Sequence, residues 1–177
     1  MKKLCLALLL IVAAGSSFAQ IKNNVTKATI TFELKNLGVK TGGTIGGIEA
    51  NIAFDPSKPE TGKIEATAEV NTINTGNDRR DNHLRQPDYF NVAAYPKLSM
   101  SSVGFKRKGG NNYVGQFNLT IKGKTKLIDV PFTYMVAGNT ATFKGSYKIM
   151  RLDFGIGGNS MTMSDDVTIF IEATTTK

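Results

Sequence analysis

One histidine stands among the 177 residues, His83, with Arg80, Asp81 and Arg85 around it. An imidazole in such company can act as a general base, a metal ligand or a contact to a polar ligand group. Base catalysis needs a nucleophile or a metal within reach, and no residue at suitable spacing supplies either. The plainer role is structural: Arg80, Asp81 and His83 satisfy backbone groups and pin a loop. On a helical reading Arg80 and Leu84 lie one turn apart on one face, so Leu84 points inward while Arg80 braces a rim.

The remaining chemical motifs reduce in the same way. Gly123-Lys124-Thr125 imitates the end of a phosphate-binding loop, but Asn118 stands where that motif needs its first glycine. Strand patterns flank it on both sides, so it reads as a hairpin turn. Gly155-Ile156-Gly157-Gly158 lacks the spacing and the helix of a dinucleotide fingerprint and reads as a turn. Met161 and Met163 offer two thioethers suited to Cu(I), yet no Cys or His lies near them in sequence. An apolar loop is the better description. Arg151 and Asp153 fall two apart, as on one face of a strand, where an ion pair would close a rim. An inward Arg151 would instead meet the polar group of a ligand. No catalytic residue, metal site or resident cofactor is expected.

The first segment to set aside is Met1 to Ala19. Lys2 and Lys3 precede the apolar run Leu4 to Ala14, and Ser17-Phe18-Ala19 closes with the small-x-small pattern of a signal-peptidase site. The run falls short of the roughly 20 apolar residues that span a bilayer. Cys5, the single cysteine, lies near the start of the run rather than after it, so no lipid anchor is read. The mature domain is expected over 20–177, periplasmic or secreted. Its formal charge falls from +8 to +6 as Lys2 and Lys3 leave. The densest cluster, Lys106-Arg107-Lys108, runs into Gly109 to Asn112 and reads as a hairpin tip. No groove-reading helix accompanies it, so nucleic acid is not an expected partner.

Period-two alternation dominates the rest. Ala28, Ile30, Phe32 and Leu34 alternate with Thr29, Thr31, Glu33 and Lys35. Similar runs return around Ile64 to Val70, Leu98 to Met100, Tyr113 to Ile121, Ile128 to Tyr134, Phe143 to Ile149 and Val167 to Ile171. Pro131, on the opposite parity to its neighbours, marks an edge or a bulge. About eight amphipathic strands joined by short turns point to an all-β, antiparallel up-and-down barrel. Only Asn77 to Tyr95 breaks the rhythm. Asn74-Thr75 and Asp78 are candidate helix starters there and Pro87 a stop, so a short helix and loop should cross one barrel end. Ala66, Ala68, Gly115, Ala141 and Gly145 sit among the inward positions, so the barrel either flattens there or holds a cavity.

The segment Arg80-Asp81-Asn82-His83-Leu84, continued by Asp88-Tyr89-Phe90 and Tyr95-Pro96, resembles the signature of the YceI-like family. Three further blocks follow in family order: Gly43 to Pro56, Gly115 to Lys126, and Arg151 to Gly155 with Asp165-Asp166-Val167. Two positions where that family often carries histidine hold Lys27-Ala28 and Asn36 here. The resemblance implies a lipocalin-like barrel that binds polyisoprenoid or other long-chain lipid.

Parity and resemblance together nominate the ligand lining. It comprises Phe32, Leu34 and Phe54 early in the chain, then Leu84, Phe90, Leu98 and Met100. Phe117, Phe132, Phe143, Tyr147, Ile149 and Ile169 complete it. Arg80, Asp81, His83, Arg151 and Asp153 are the expected polar rim. The expected activity is non-enzymatic carriage or sequestration of a polyisoprenoid, an isoprenoid quinone or a fatty-acyl lipid. Transient contact with a membrane surface and pairing into a homodimer are expected partners of that activity. The rival reading is a non-enzymatic envelope scaffold or stress-type protein with a filled barrel and a basic surface meeting anionic partners.

Overall fold

Alternation of apolar and polar side chains builds nearly all of the structure, a computed structural model that describes residues 22–176. The expected secretory segment Met1 to Ala19 lies outside the described residues. In chain order the strands are β1 (Lys22–Asn36), β2 (Val39–Ile45), β3 (Glu49–Ala53), β4 (Lys63–Glu69) and β5 (Lys97–Gly109). They continue as β6 (Asn112–Ile121), β7 (Lys124–Ala137), β8 (Thr140–Met150) and β9 (Asp166–Thr176). All pairings are antiparallel, and β9 returns to pair with β1 from Asn24 to Glu33. Eight strands therefore close a barrel, with β2 as an additional strand. On β6 the parity is plain: Tyr113, Phe117, Leu119 and Ile121 are buried, while Gln116 and Asn118 are exposed.

The ninth strand, β2, is absent from the alternation pattern for a steric reason. Gly42 and Gly43 form its middle, and a Cβ on Gly43 would stand 2.5 Å from the Asn74 carbonyl oxygen. Close approach of backbones, not a repeating apolar face, selects those residues. Ile30 pairs with Ile45 and Asn23 with Ile52, so β2 and β3 keep one register against β1. They are one long strand, bent outward at Gly46-Gly47-Ile48, where Gly47 takes a φ of +60°. Beyond the bend β2 leaves β4, and the segment after β4 covers only part of its free edge, through Thr44 and Asn74.

Turn chemistry places the hairpins as expected. Lys122 and Gly123 take φ values of +49° and +71° between β6 and β7, which confirms the hairpin over the phosphate-loop reading. Pro131 stands where the β7–β8 ladder ends, since that pairing runs only from Phe132 to Ala137. It is the expected edge position, with no N–H to offer a neighbour.

The single α-helix among the described residues, α1 (Asp78–Leu84), lies in the predicted interruption. Its cap is Asn77, whose side chain accepts from the Arg80 N–H at 3.0 Å. The candidate starters serve otherwise: Asn74 Oδ1 accepts from the Gly76 N–H at 2.8 Å in a local turn. Asp78 is the first helical residue, where its charge favours the helix N-terminus.

The barrel end remote from α1 is filled with aromatic rings. Phe54, 2% exposed, meets Phe105, Tyr113 and Phe132 edge-on at centroid distances of 5.4, 5.2 and 5.7 Å. Phe143 adds another edge contact at 5.6 Å, and Tyr134 a tilted one at 5.3 Å. Each such pair adds about 0.5–1.5 kcal/mol beyond its area burial. Gly115 makes room for two of the rings, since a Cβ there would lie 2.9 Å from the Phe105 edge and 3.0 Å from the tip of Phe117.

Candidate functional site: an apolar cavity under α1

Between the aromatic plug and α1 the barrel encloses a cavity of about 230 Å³ whose surface is almost wholly apolar. The barrel is therefore not filled throughout. Ala66 and Gly145 are among the small residues that open it, whereas Ala68 is fully packed and Gly115 is covered by rings. Phe32, Leu34, Leu84, Phe90, Leu98 and Met100 line the space. So do Phe117, Phe132, Phe143, Tyr147, Ile149 and Ile169. Phe54 does not: it sits one layer lower, at the centre of the plug, because it follows β3 at the closed end of the barrel.

Much of the polar lining gathers at the opposite end. Asn36, Thr41, Thr75 and Arg80, with the apolar Met163 beside them, surround a mouth between the end of β1, the start of β2 and α1. Arg80 and Leu84 both reach the cavity, as one helical turn requires. Arg80 donates from Nε to Thr75 Oγ1 and from Nη2 to the Thr75 carbonyl, each at 2.8 Å. Its Nη1 makes no hydrogen bond to another described residue.

Asp81, 5% exposed, holds Thr75 from the other side by accepting from its N–H at 3.0 Å and from its hydroxyl. This is the loop-pinning role expected of it. His83 does not share it. The imidazole is exposed, with Nε2 3.3 Å from Asp88 and its ring edge-on to Tyr89 at 4.8 Å.

Arg151 and Asp153 do not form the expected ion pair. The β8 strand ends at Met150, and residues Arg151–Phe154 wind into a 3-10 turn, so the two side chains no longer share a strand face. Asp153 turns to Lys126 at 4.0 Å and is exposed. Arg151 is 2% exposed and spends its donors on the following loop: Ser164 at 3.1 Å, Ile156 and Gly158 at 2.9 Å, and Asp165 at 2.7 Å. It borders the cavity as a structural hub rather than as a free cation.

Tyr147 is the polar exception deep in the barrel. Burial pushes its phenol pKa up, so the hydroxyl stays protonated across the physiological range. It has no hydrogen-bond partner among the described residues, although it lines the cavity.

Several site residues carry no periodic signal. Ile45 and Ile48 flank the glycine bend, and Thr75 and Ile156 lie in loops, yet all four line the cavity. Lys122 is another, since its Nζ bridges the two loops that border the mouth, donating to the Pro87 and Gly155 carbonyls. Among the described residues no group of three metal-ligating side chains forms.

An eight-stranded antiparallel barrel, closed by rings at one end and hollow and apolar within, defines a lipocalin-like cavity protein. The chain belongs to the YceI-like family, whose domain profile matches residues 21–175. Protein YceI of Salmonella agona is 28% identical over 172 residues, covering 92% of this chain and 90% of that one. The crystal structure of Burkholderia cenocepacia BcnA superposes with a TM-score of 0.80 at 28% identity, covering 83% of this chain and 95% of BcnA. A polyisoprenoid-binding domain from Saccharophagus degradans shares the fold, with a TM-score of 0.66 at 13% identity over 88% of this chain and 97% of that domain.

Proposed function

We propose that this protein is an exported, non-catalytic carrier that holds one long apolar molecule in the barrel. A polyisoprenoid, an isoprenoid quinone or a fatty-acyl lipid has the required chemistry. The observation that carries the reading is the apolar cavity, floored by Phe132 and Phe143, with Asn36, Thr41, Thr75 and Arg80 gathered at its α1 end. A tail entering it exchanges water for hydrocarbon at about 0.8 kcal/mol per buried CH₂. Several kcal/mol of that gain are offset by lost translational and rotational freedom. The polyisoprenoid-binding domain of the same fold supports this ligand class.

The ligand lies with its tail against the plug and its polar end at the mouth. There Arg80 Nη1 faces a carbonyl, hydroxyl or anionic head, and Tyr147 meets an acceptor deeper along the chain. The leader-like Met1 to Ala19 supports periplasmic or secreted placement.

Native mass spectrometry tests the reading on protein taken from its host's envelope fraction without detergent. A stoichiometric apolar adduct is expected, and Ala66→Phe, which fills the cavity from a lining position, should remove it while the β-type circular dichroism persists. A ligand-free mass, together with failure to take up added geranylgeraniol, would overturn the carrier in favour of a scaffold.

A further inference from the structure

Most exposed apolar side chains of this protein are scattered, but three are not. Among the described residues the large hydrophobics with the greatest exposure are Met161 at 105%, Leu37 at 75% and Val39 at 66%. All three occupy one protrusion. Leu37 and Gly38 form the two-residue turn between β1 and β2, and the loop carrying Met161 is stitched to that turn. The Leu37 N–H donates to the Thr162 carbonyl at 2.8 Å, and Asn36 bridges to Met163.

Two local rules are broken at the same place. Leu37 takes a φ of +53° in a turn whose backbone favours Asn, Asp or Gly. An apolar side chain is thus held in water at a position where asparagine would be less strained. One step inward, Lys35 and Lys40 lie directly opposite each other across the β1–β2 ladder, an unfavourable like-charge pair. Glu33 meets Lys40 at 3.6 Å, while Lys35 forms no ion pair among the described residues. Local conflicts only partly compensated by their neighbours are what functional surfaces show.

The protrusion also continues the cavity. Asn36, Thr41 and Met163 line the mouth, and Val39 stands opposite Asn36 in the ladder, on the same face one step further out. From these relations we infer that the β1–β2 tip, with Met161 beside it, docks on an anionic phospholipid surface and sets the mouth of the cavity against the bilayer. Leu37, Val39 and Met161 enter the acyl boundary, while Lys35 and Lys40 lay their stems along it and carry their charges to the phosphates. Three side chains offer on the order of a few hundred Å², short of the roughly 800 Å² that each partner buries in a standard protein interface. A bilayer needs no such area, and the net positive charge of the chain favours an anionic one. The inference rests on the carrier reading only for what passes through the mouth.

Vesicle flotation with the purified protein tests it, using phosphatidylglycerol–phosphatidylethanolamine vesicles against phosphatidylcholine. The protein should float with the anionic vesicles. The double variant Leu37→Asn, Val39→Thr should bind at least tenfold more weakly. Its Asn-Gly turn suits the backbone better, so its melting temperature should not fall. Lys35→Gln with Lys40→Gln should lower binding to anionic vesicles severalfold and leave the weak phosphatidylcholine binding unchanged. Equal binding by the double variant, or no flotation of the parent, overturns the inference. A concentration-dependent dimer abolished by the same double variant, without flotation, overturns it in favour of a second copy as the occupant. Geranylgeraniol uptake from solution, read by native mass spectrometry, separates the two proposals. Flotation without uptake removes the carrier but keeps the docking surface, and uptake without flotation does the reverse.

Discussion

Lys122 Nζ donates to the Pro87 carbonyl at 2.8 Å, joining the β6–β7 turn to the segment that follows α1. The same ammonium donates to the Gly155 carbonyl at 2.8 Å, and the Gly157 N–H reaches the Asp88 carbonyl at 2.8 Å. The two segments that border the cavity mouth are thereby latched to each other. Opening the mouth on this side requires those bonds to part together.

Lys122→Asn removes the ammonium yet suits the left-handed backbone at this position, because asparagine tolerates it well. Release of bound geranylgeraniol, followed by stopped-flow displacement, should become several times faster. Stability should fall by about 1–3 kcal/mol, the usual scale for two lost hydrogen bonds, one exposed and one partly buried. Unchanged release kinetics would show that ligand passes elsewhere.

Arg151 organises the loop that follows β8. Replacing it by methionine keeps the bulk but leaves the Ile156, Gly158 and Ser164 carbonyls and Asp165 without their donor. Removing one member of a buried pair commonly costs about 3–5 kcal/mol. Because Asp165 is 38% exposed and can turn to water, Arg151→Met should lie near the lower figure in urea denaturation. Arg151→Lys should recover less than half of the loss, since an ammonium lacks the planar fork. Limited proteolysis should cut the methionine variant first within 156–165.

Gly115→Ala tests the plug. Its Cβ would press on the rings of Phe105 and Phe117, both packed on other rings. Overpacking of this kind costs roughly 1–3 kcal/mol. Phe117 can yield only toward the cavity, so the variant should lose ligand capacity as well as thermal stability. A variant as stable as its parent would mean that the plug is loosely packed.

Tyr147→Phe isolates the phenol. Its hydroxyl has no partner among the described residues, so stability should stay level or rise slightly. A ligand that offers an acceptor, such as a short-chain ubiquinone, should bind roughly three- to tenfold more weakly, the equivalent of about 0.5–1.5 kcal/mol for one hydrogen bond. A saturated hydrocarbon of similar length should bind equally to both forms, as isothermal titration would record. Equal loss for both ligands would assign Tyr147 to packing alone.

Strand parity is a local property, and it carried most of the lining: Leu98 with Met100, and Phe117 with its neighbours on β6, follow from alternation alone. The helix between Pro87 and the preceding polar run is equally local, with Arg80 and Leu84 one turn apart. Phe54 escaped the same logic because it lies just past β3. Parity tells which face a side chain takes but not how far along the barrel it falls.

His83 and Asp153 show the complementary error. Both lie beside charged neighbours in sequence, yet Asp88 and Lys126 hold them at the exposed exterior.

The sequence alone determined the barrel, its apolar inner face and the place of α1, because backbone pairing and side-chain alternation repeat every two residues. Tertiary structure decided what no repeat encodes. It brought Asp165 to Arg151 and Pro87 to Lys122, and it packed five rings edge-on or tilted around Phe54 so that one end closed and the other stayed open. It also gathered Leu37, Val39 and Met161 on one tip. Those relations join segments far apart in the chain, and only closure of β9 onto β1 sets the distances between them.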